Sequence, residues 1–239
     1  MYEDINYVLF DCWDTLVKTK YKEKNVEATF FYQFIVNKDK IPFDLYEKEF
    51  TSILFNYFSS SYFEMEDDAI FNYLQVKLDL VFDRPYEEIR KLYHNMFEMT
   101  KIEGIDEFLD LLEERNIRYS VLSNAFYHED IGKRIIEVNF PNRKFEKIYV
   151  SSRFVVKKPS PLFFNIAINE LKLDPRRTLY IGDNIKADVL GSHSANLVPI
   201  YLNWKNKSIK PEEKDLYNFD YLEVYSYYEL CEKFKESIK

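Results

Sequence analysis

The stretch Tyr7-Val8-Leu9-Phe10-Asp11-Cys12-Trp13-Asp14-Thr15-Leu16 decides how the rest of the chain is read. Four apolar residues run together and stop at an aspartate. So short a run, without polar alternation, reads as a strand buried on both faces, as in a parallel sheet. A carboxylate where such a strand ends stands at the carboxyl edge of the sheet, where α/β folds carry their ligands.

The residues that follow change character. From about Tyr21 to Thr100 there is no glycine, and apolar residues recur every three or four positions. Phe30, Phe31, Phe34 and Ile35 form one set. Tyr46, Phe50, Ile53 and Leu54 form a second, and Ile70, Leu74 and Leu78 a third. This spacing predicts four helices and no strand, with Pro42 and Pro85 where helices begin. After Gly104 the pattern alternates. Helices are expected over Ile105–Arg115, Asp130–Asn139, Ser160–Leu171 and Ile185–Ala195. Strands are expected over Arg118–Ser123, Ile148–Val150, Thr178–Ile181 and Leu197–Leu202. The lysine-rich segment Lys205–Lys214 reads as a surface loop, followed by a short strand near Tyr221 and a closing helix. Alternation of this kind means a parallel sheet covered on both faces. The expected organisation is a Rossmann-like α/β core over residues 1–17 and 101–239, with an all-helical cap inserted over 18–100. An insert directly after the first strand lies over the sheet's carboxyl edge and can close it from water.

Composition narrows the partners. Hydrophobic residues make up 46% of the 239 and charged residues 31%, a globular rather than a disordered balance. The net charge of −8 argues against nucleic acid or an anionic membrane as a partner. No apolar run is long enough to span a bilayer, and the first residues lack the basic start and apolar stretch of a signal peptide. Cys12 and Cys231 lie at opposite ends of the chain and suggest no disulfide, so a reducing cytoplasm is expected. The Tyr and Phe residues, spread at burial-type spacing, are expected to fill cores.

Three strand ends and one helix start hold the chemistry. The first offers Asp11, the second Ser123-Asn124, and the last Gly182-Asp183-Asn184 with Asp188 one helical turn further on. Lys158 precedes Pro159 at the start of a later helix. A carboxylate at a strand end can attack an electrophile, most commonly a phosphoryl group. That group's charge needs a cation, a lysine and hydrogen-bond donors to offset it. Asp11 and Asp183 carry hard oxygens suited to Mg2+. Ser123 and the backbone N–H of Asn124 can donate to a phosphoryl oxygen. Lys158 can neutralise nucleophile and substrate together, and Asp188 can orient Lys158 or assist the metal shell.

The order Val8-Leu9-Phe10-Asp11-x-x-Asp14-Thr15-Leu16, Leu122-Ser123-Asn124, Lys158-Pro159, Ile181-Gly182-Asp183 with Asp188 and Gly191 resembles the haloacid dehalogenase superfamily. All four motifs of that family occur in order, over roughly residues 5–17 and 101–202. The resemblance implies a helical cap at 18–100, an aspartyl-enzyme intermediate and, in most members, Mg2+. It also implies that the backbone carbonyl of Trp13 would join Asp11 and Asp183 as a metal ligand.

One departure stands out. In the phosphatases of that family a second aspartate, the general acid/base, follows the nucleophile by two residues. Here that position is Trp13, and tryptophan cannot protonate a leaving alkoxide. Three readings follow. Gly182-Asp183 with Asp188 looks like the metal-binding form of the last motif and favours Mg2+-dependent phosphatase chemistry on a small phosphorylated metabolite. The proton would then be dispensable, or come from the substrate or the cap. A 2-haloacid dehalogenase needs no acid there, because halide leaves without protonation. A non-catalytic protein that binds a phosphorylated ligand needs none either.

The neighbouring residues read more plainly. Asp14 is expected as a turn residue and Thr15 as a loop-fixing hydroxyl behind the site. Trp13 is either a packing residue under the cap or a wall facing substrate. His94, His128 and His193 show no metal-ligand spacing and are expected to be ordinary. Cys12 is expected as a buried neutral thiol.

Overall fold

The computed structural model describes residues 4–19, 26–58, 62–95 and 98–236. In chain order its main elements begin with β1 (Tyr7–Phe10), β2 (Val17–Thr19), α1 (Val26–Tyr32), α2 (Phe43–Phe58), α3 (Asp67–Leu78), α4 (Tyr86–Asn95) and β3 (Met99–Lys101). They continue with α5 (Ile105–Glu114), β4 (Arg118–Ser123), α6 (Glu129–Asn139), β5 (Ile148–Val150), α7 (Pro161–Leu171) and β6 (Thr178–Gly182). A widened helical turn over Ile185–Leu190 leads into α8 (Gly191–Ser194), followed by β7 (Val198–Leu202), β8 (Leu222–Val224) and α9 (Tyr227–Glu236).

Six strands form one sheet in the order β5-β4-β1-β6-β7-β8, and every pair in it is parallel. The chain starts at the centre, steps outward to β5, then returns across β1 to β6. The strand order therefore reverses between β1 and β6, and a crevice opens there at the carboxyl edge. Asp11 and Asp183 follow these two strands directly. Their register is set by Phe10 opposite Ile181 and by the Asp11 N–H donating to the Ile181 carbonyl at 2.9 Å.

All four residues of β1 are buried, as a strand covered on both sides requires. Val8 and Phe10 pack into one layer with Phe108 and Leu112 of α5 and Leu230 and Phe234 of α9. Tyr7 and Leu9 point the other way, toward Phe163, Phe164 and Ala167 of α7. The period of two along one strand thus feeds two separate cores. The Rossmann-like expectation holds.

The segment between Thr19 and Met99 carries the four expected helices, and Pro42 and Pro85 stand immediately before α2 and α4. The expected start at Tyr21 and the side chain of Leu54 lie outside the described residues. A third, separate core forms here from Phe31, Tyr46, Phe50, Phe71, Leu74 and Tyr93. It is largely aromatic: Phe71 stacks on Tyr86 at 4.1 Å and meets Phe31 at 4.4 Å between ring centroids. The expectation of no strand in this stretch is overturned at its end. Met99 and Thr100 belong to β3, which pairs antiparallel with β2, Thr19 opposite Met99 and Val17 opposite Lys101. Three-residue strands are too short to leave a periodic signal. No helix among the described residues is long and apolar enough to cross a membrane.

The helical insert also touches the core away from that ribbon. Residues 62–64 lie beside 155–157 as a short antiparallel bridge: Lys157 N–H donates to the Tyr62 carbonyl at 2.9 Å and Glu64 N–H to the Val155 carbonyl at 3.1 Å. Glu64 is buried there, accepting from Ser151 Oγ at 3.2 Å, while its Oε1 has no partner among the described residues. Burial pushes its carboxyl up to about 7, against the pull of Lys157. A raised carboxyl favours the fold at low pH, and that contribution is lost as pH rises through the folded value. Between pH 5 and pH 8 the native protein is expected to lose about 2 kcal/mol more stability than Glu64→Gln, measured by urea unfolding. Equal pH dependence in the two proteins would show that Glu64 ionises freely in the fold.

Candidate active site

Lys158 is the centre of the constellation. Its Nζ donates to Asp11 Oδ1 at 2.7 Å, to Asp188 Oδ1 at 2.7 Å and to the Tyr180 hydroxyl at 2.8 Å. Its backbone is held as firmly. Asn124 Oδ1 accepts from Lys158 N–H at 2.8 Å, and Asn124 Nδ2 donates to the Lys158 carbonyl at 2.9 Å. The Asn124 side chain therefore fastens the loop after β4 to the loop before α7.

All four ionisable neighbours are buried, and burial penalises charge. It pushes the Asp11 carboxyl up to about 6, and those of Asp188 and Asp183 upward as well, while Lys158 opposes the push at Asp11 and Asp188. Burial alone would lower the Lys158 ammonium. The two carboxylates outweigh it and hold the group charged.

Asp11, Asp183 and Asp188 each offer a carboxylate oxygen within 4.8 Å of the others. Asp188 is already engaged on both sides, Oδ1 by Lys158 and Oδ2 by the Asn184 N–H at 2.9 Å. Asp11 and Asp183, each bonded to one lysine, carry hard carboxylate oxygens of the kind that fits Mg2+. Asp183 Oδ2 accepts from Lys207 at 2.8 Å, and Lys205 bridges Asp14 and, at 3.8 Å, Asp183.

The remaining expected residues fall around this centre. Ser123 follows the buried run of β4, and its Oγ is buried with no partner among the described residues. Trp13 packs beneath the helical insert. Its Nε1 donates to the Tyr127 hydroxyl at 2.9 Å, and its ring also walls a cavity of about 320 Å3 beneath the helical insert. Asp14 is a turn residue, as expected: its φ is 58° and its N–H donates to the Val17 carbonyl at 2.7 Å. Thr15 needs correction. Its hydroxyl has no partner among the described residues, and the loop is held instead by its carbonyl, which accepts from the Tyr227 hydroxyl at 3.1 Å. Cys12 is buried and its thiol is pushed upward by that burial.

A family model for haloacid dehalogenase-like hydrolases matches residues 8–201, which span Asp11, Ser123, Lys158, Asp183 and Asp188 but not Lys205, Lys207 or Tyr227. The chain belongs to the haloacid dehalogenase-like hydrolases. It is 29% identical over 125 residues to ribonucleotide monophosphatase NagD of Escherichia coli, covering 47% of this chain and 49% of that protein. The chain thus spans about half the length of that relative. It is 23% identical over 203 residues to the glyceraldehyde 3-phosphate phosphatase of Pyrococcus abyssi, covering 84% and 82% of the two chains. Among solved structures, a phosphatase of this superfamily from Thermococcus onnurineus matches with a TM-score of 0.69 at 19% identity, over 96% of this chain and 97% of that one. A 2-haloacid dehalogenase from Pseudomonas syringae matches with 0.65 at 17%, over 98% and 99%. The fold is thus shared with proteins named for both chemistries.

Several groups at this site were not foreseen. Tyr180 lies inside β6 and reads as core, yet its hydroxyl links Lys158 to the Leu122 carbonyl, to which it donates at 2.8 Å. The segment after β7 is a surface loop, as expected, but it is pinned: buried Asn203 clamps the Lys207 backbone through bonds of 2.8 and 2.9 Å. The signal available was the position of Lys205 and Lys207, just past a strand next to β6. His94 also departs from expectation. It lines the Trp13 cavity, and burial lowers its imidazole to about 4. His128 caps α6 and His193 stacks on Phe219, ordinary roles as expected.

The turn after β6 is the tightest part of the family fold here. The expected helix from Ile185 opens instead as a widened turn over Ile185–Leu190, which brings the Asp188 side chain back over Gly182. A Cβ at Gly182 would lie 2.3 Å from the Asp188 carboxyl. Gly182→Ala is therefore expected to destabilise by about 1–3 kcal/mol and to dislodge Asp188 from Lys158. Denaturant unfolding checks this, and an unchanged midpoint would show that the turn can yield.

Proposed function

We propose that this protein is a Mg2+-dependent phosphohydrolase acting on a small phosphorylated metabolite, with Asp11 as its nucleophile. One observation carries the reading: a buried lysine bonded at once to Asp11 and Asp188, beside a third carboxylate on Asp183. Lys158 keeps Asp11 ionised despite burial. An ionised carboxylate at the strand end can attack phosphorus while the bond to the leaving oxygen breaks. Ser123 Oγ, buried and without a protein partner among the described residues, is suited to donate to a phosphoryl oxygen. Lys158 offsets charge on both nucleophile and phosphoryl group. Water then cleaves the aspartyl phosphate and frees Asp11. Asp11, Asp183 and, from family resemblance, the Trp13 carbonyl are the groups that would hold Mg2+, with Asp188 and Thr15 behind them. When bound, the ion offsets the negative charge shared by the carboxylates and the phosphoryl oxygens. Cys12 and Cys231 are both free and buried, which suits the cytoplasmic setting we assign.

A second reading, 2-haloacid dehalogenase, is favoured by Lys207 on Asp183. That ion pair satisfies the third carboxylate without a metal. Charge counts against it. Asp11, Asp14, Asp183 and Asp188 face Lys158, Lys205 and Lys207, four against three. Lys207 is about half exposed, while Asp183 is buried; a divalent ion that takes the place of the lysine leaves the carboxylate compensated.

Phosphate release from acetyl phosphate and glycerol 3-phosphate, with Mg2+ and with EDTA, tests the proposal against halide release from 2-chloropropionate. Release of phosphate that EDTA abolishes is the expected result. Halide release in EDTA without phosphate release would replace it with the second reading.

A further inference from the structure

The position that should carry the acid holds Trp13, whose Nε1 proton is already given to Tyr127. A phosphomonoester with an alkyl leaving group still needs a proton. The helical insert brings one carboxyl to the cavity that Trp13 lines. Trp13 and Asn124, just past the ends of β1 and β4, form one side of the 320 Å3 cavity, and Glu27 in the first turn of α1 lines the same cavity. Its volume lies at the small end of ligand sites, about 300–1,000 Å3. The remaining walls are mostly aromatic, including Tyr93, His94 and Phe126. Among the residues lining it, Glu27 is the one acidic side chain.

We propose that Glu27, borne on the helical insert, is the proton donor to the leaving group, in the role that the residue at position 13 cannot perform. The inference rests on the phosphohydrolase reading. As Asp11 Oδ bonds to phosphorus and the P–O bond to the leaving group breaks, the Glu27 carboxyl gives its proton to the departing alkoxide. The resulting carboxylate then takes a proton from the water that attacks the aspartyl phosphate, so Glu27 ends each cycle as it began.

The surroundings suit an acid. Burial raises the Glu27 carboxyl, opposed by a hydrogen bond from Tyr93, while the nearby Asp67 raises it further. The other charged and titratable groups nearby leave it protonated more readily than an exposed glutamate. Tyr46 is a neutral phenol, and Arg90 is committed to Asp67 at 3.3 Å. His94 in the same wall is neutral at physiological pH. A carboxyl raised in this way is better matched to proton transfer near neutrality than an ordinary one.

Leaving-group dependence separates an acid from a packing or recognition residue. Native protein and Glu27→Gln, which keeps the shape and the Tyr93 hydrogen bond, are assayed with Mg2+ on glycerol 3-phosphate and on 4-nitrophenyl phosphate. Glycerol alkoxide needs the proton; 4-nitrophenolate does not. The expected result is a fall of about 10²–10⁴-fold in kcat for glycerol 3-phosphate with less than about threefold for 4-nitrophenyl phosphate. Equal losses on both substrates, or none on either, would overturn the proposal. So would native protein that turns over 4-nitrophenyl phosphate alone. Native protein silent on both and on acetyl phosphate overturns the phosphohydrolase reading itself, and this inference falls with it; turnover of acetyl phosphate alone overturns this inference and leaves that reading standing.

Discussion

Asp11→Asn is expected to lower turnover by about four orders of magnitude or more while leaving the fold intact. The amide is the same shape as the carboxylate but a far weaker nucleophile, and no other residue is placed to form the acyl phosphate. The backbone bond from Asp11 to Ile181 does not involve the side chain, and an amide oxygen can still accept from Lys158. Stability points the same way. The Asp11 carboxyl is pushed up to about 6 by burial, so carrying a charge there opposes folding at neutral pH. The melting temperature of metal-free Asp11→Asn at pH 8 is expected to equal or exceed the native value. Retained turnover in the variant would remove Asp11 from the reaction.

Lys158→Met is expected to cost about 3–5 kcal/mol, because it leaves Asp11 and Asp188 buried without their shared cation. The sign of its pH dependence is specific. Both carboxyls are already raised in the fold, and losing Lys158 raises them further. A raised carboxyl favours the fold at low pH and is lost as pH climbs through its folded value. The deficit of the variant, measured by urea unfolding in EDTA, is therefore larger at pH 8 than at pH 5. A deficit that stays constant with pH would mean that Lys158 matters for its packing and not for its charge. Turnover falls in either case, since the nucleophile loses the group that keeps it ionised.

Much of this site was legible in the linear chain because chemistry at a sheet edge is carried by residues next to apolar runs. Asp11, Asn124 and Asp183 each follow a strand whose burial is written in its neighbours, and Ser123 ends one. Lys158 stands beside a proline that starts a helix. What could not be read depends on tertiary neighbours. Tyr180 sits within a run that looks like core and is core, and only the position of Lys158 gives its hydroxyl a task. Lys207 lies in a polar stretch whose fixed shape depends on Asn203, one buried side chain. The π-type turn at Ile185–Leu190 has no pattern of its own, because it arises from the demand that Asp188 return over Gly182. Glu27 and Glu64 look like surface glutamates, and only the tertiary neighbours show that Glu64 is buried beside Ser151 and that Glu27 lines a cavity. The four helices of that core were visible from the spacing of apolar residues. The β2–β3 ribbon was not, since six residues in two pieces carry too little period.

That ribbon sets how the insert is joined to the rest. Thr19 and Met99 are register partners, so the chain leaves the core and re-enters it through adjacent positions. Two ends that close together add little loop-closure entropy whatever lies between them, because that term grows only with the logarithm of length. The segment from 20 to 98 is thus attached in the manner of an exchangeable cassette. Another module with neighbouring ends can be spliced onto the same two strands, leaving Asp11 and Lys158 in place while the proton source and the walls of the cavity change with the graft.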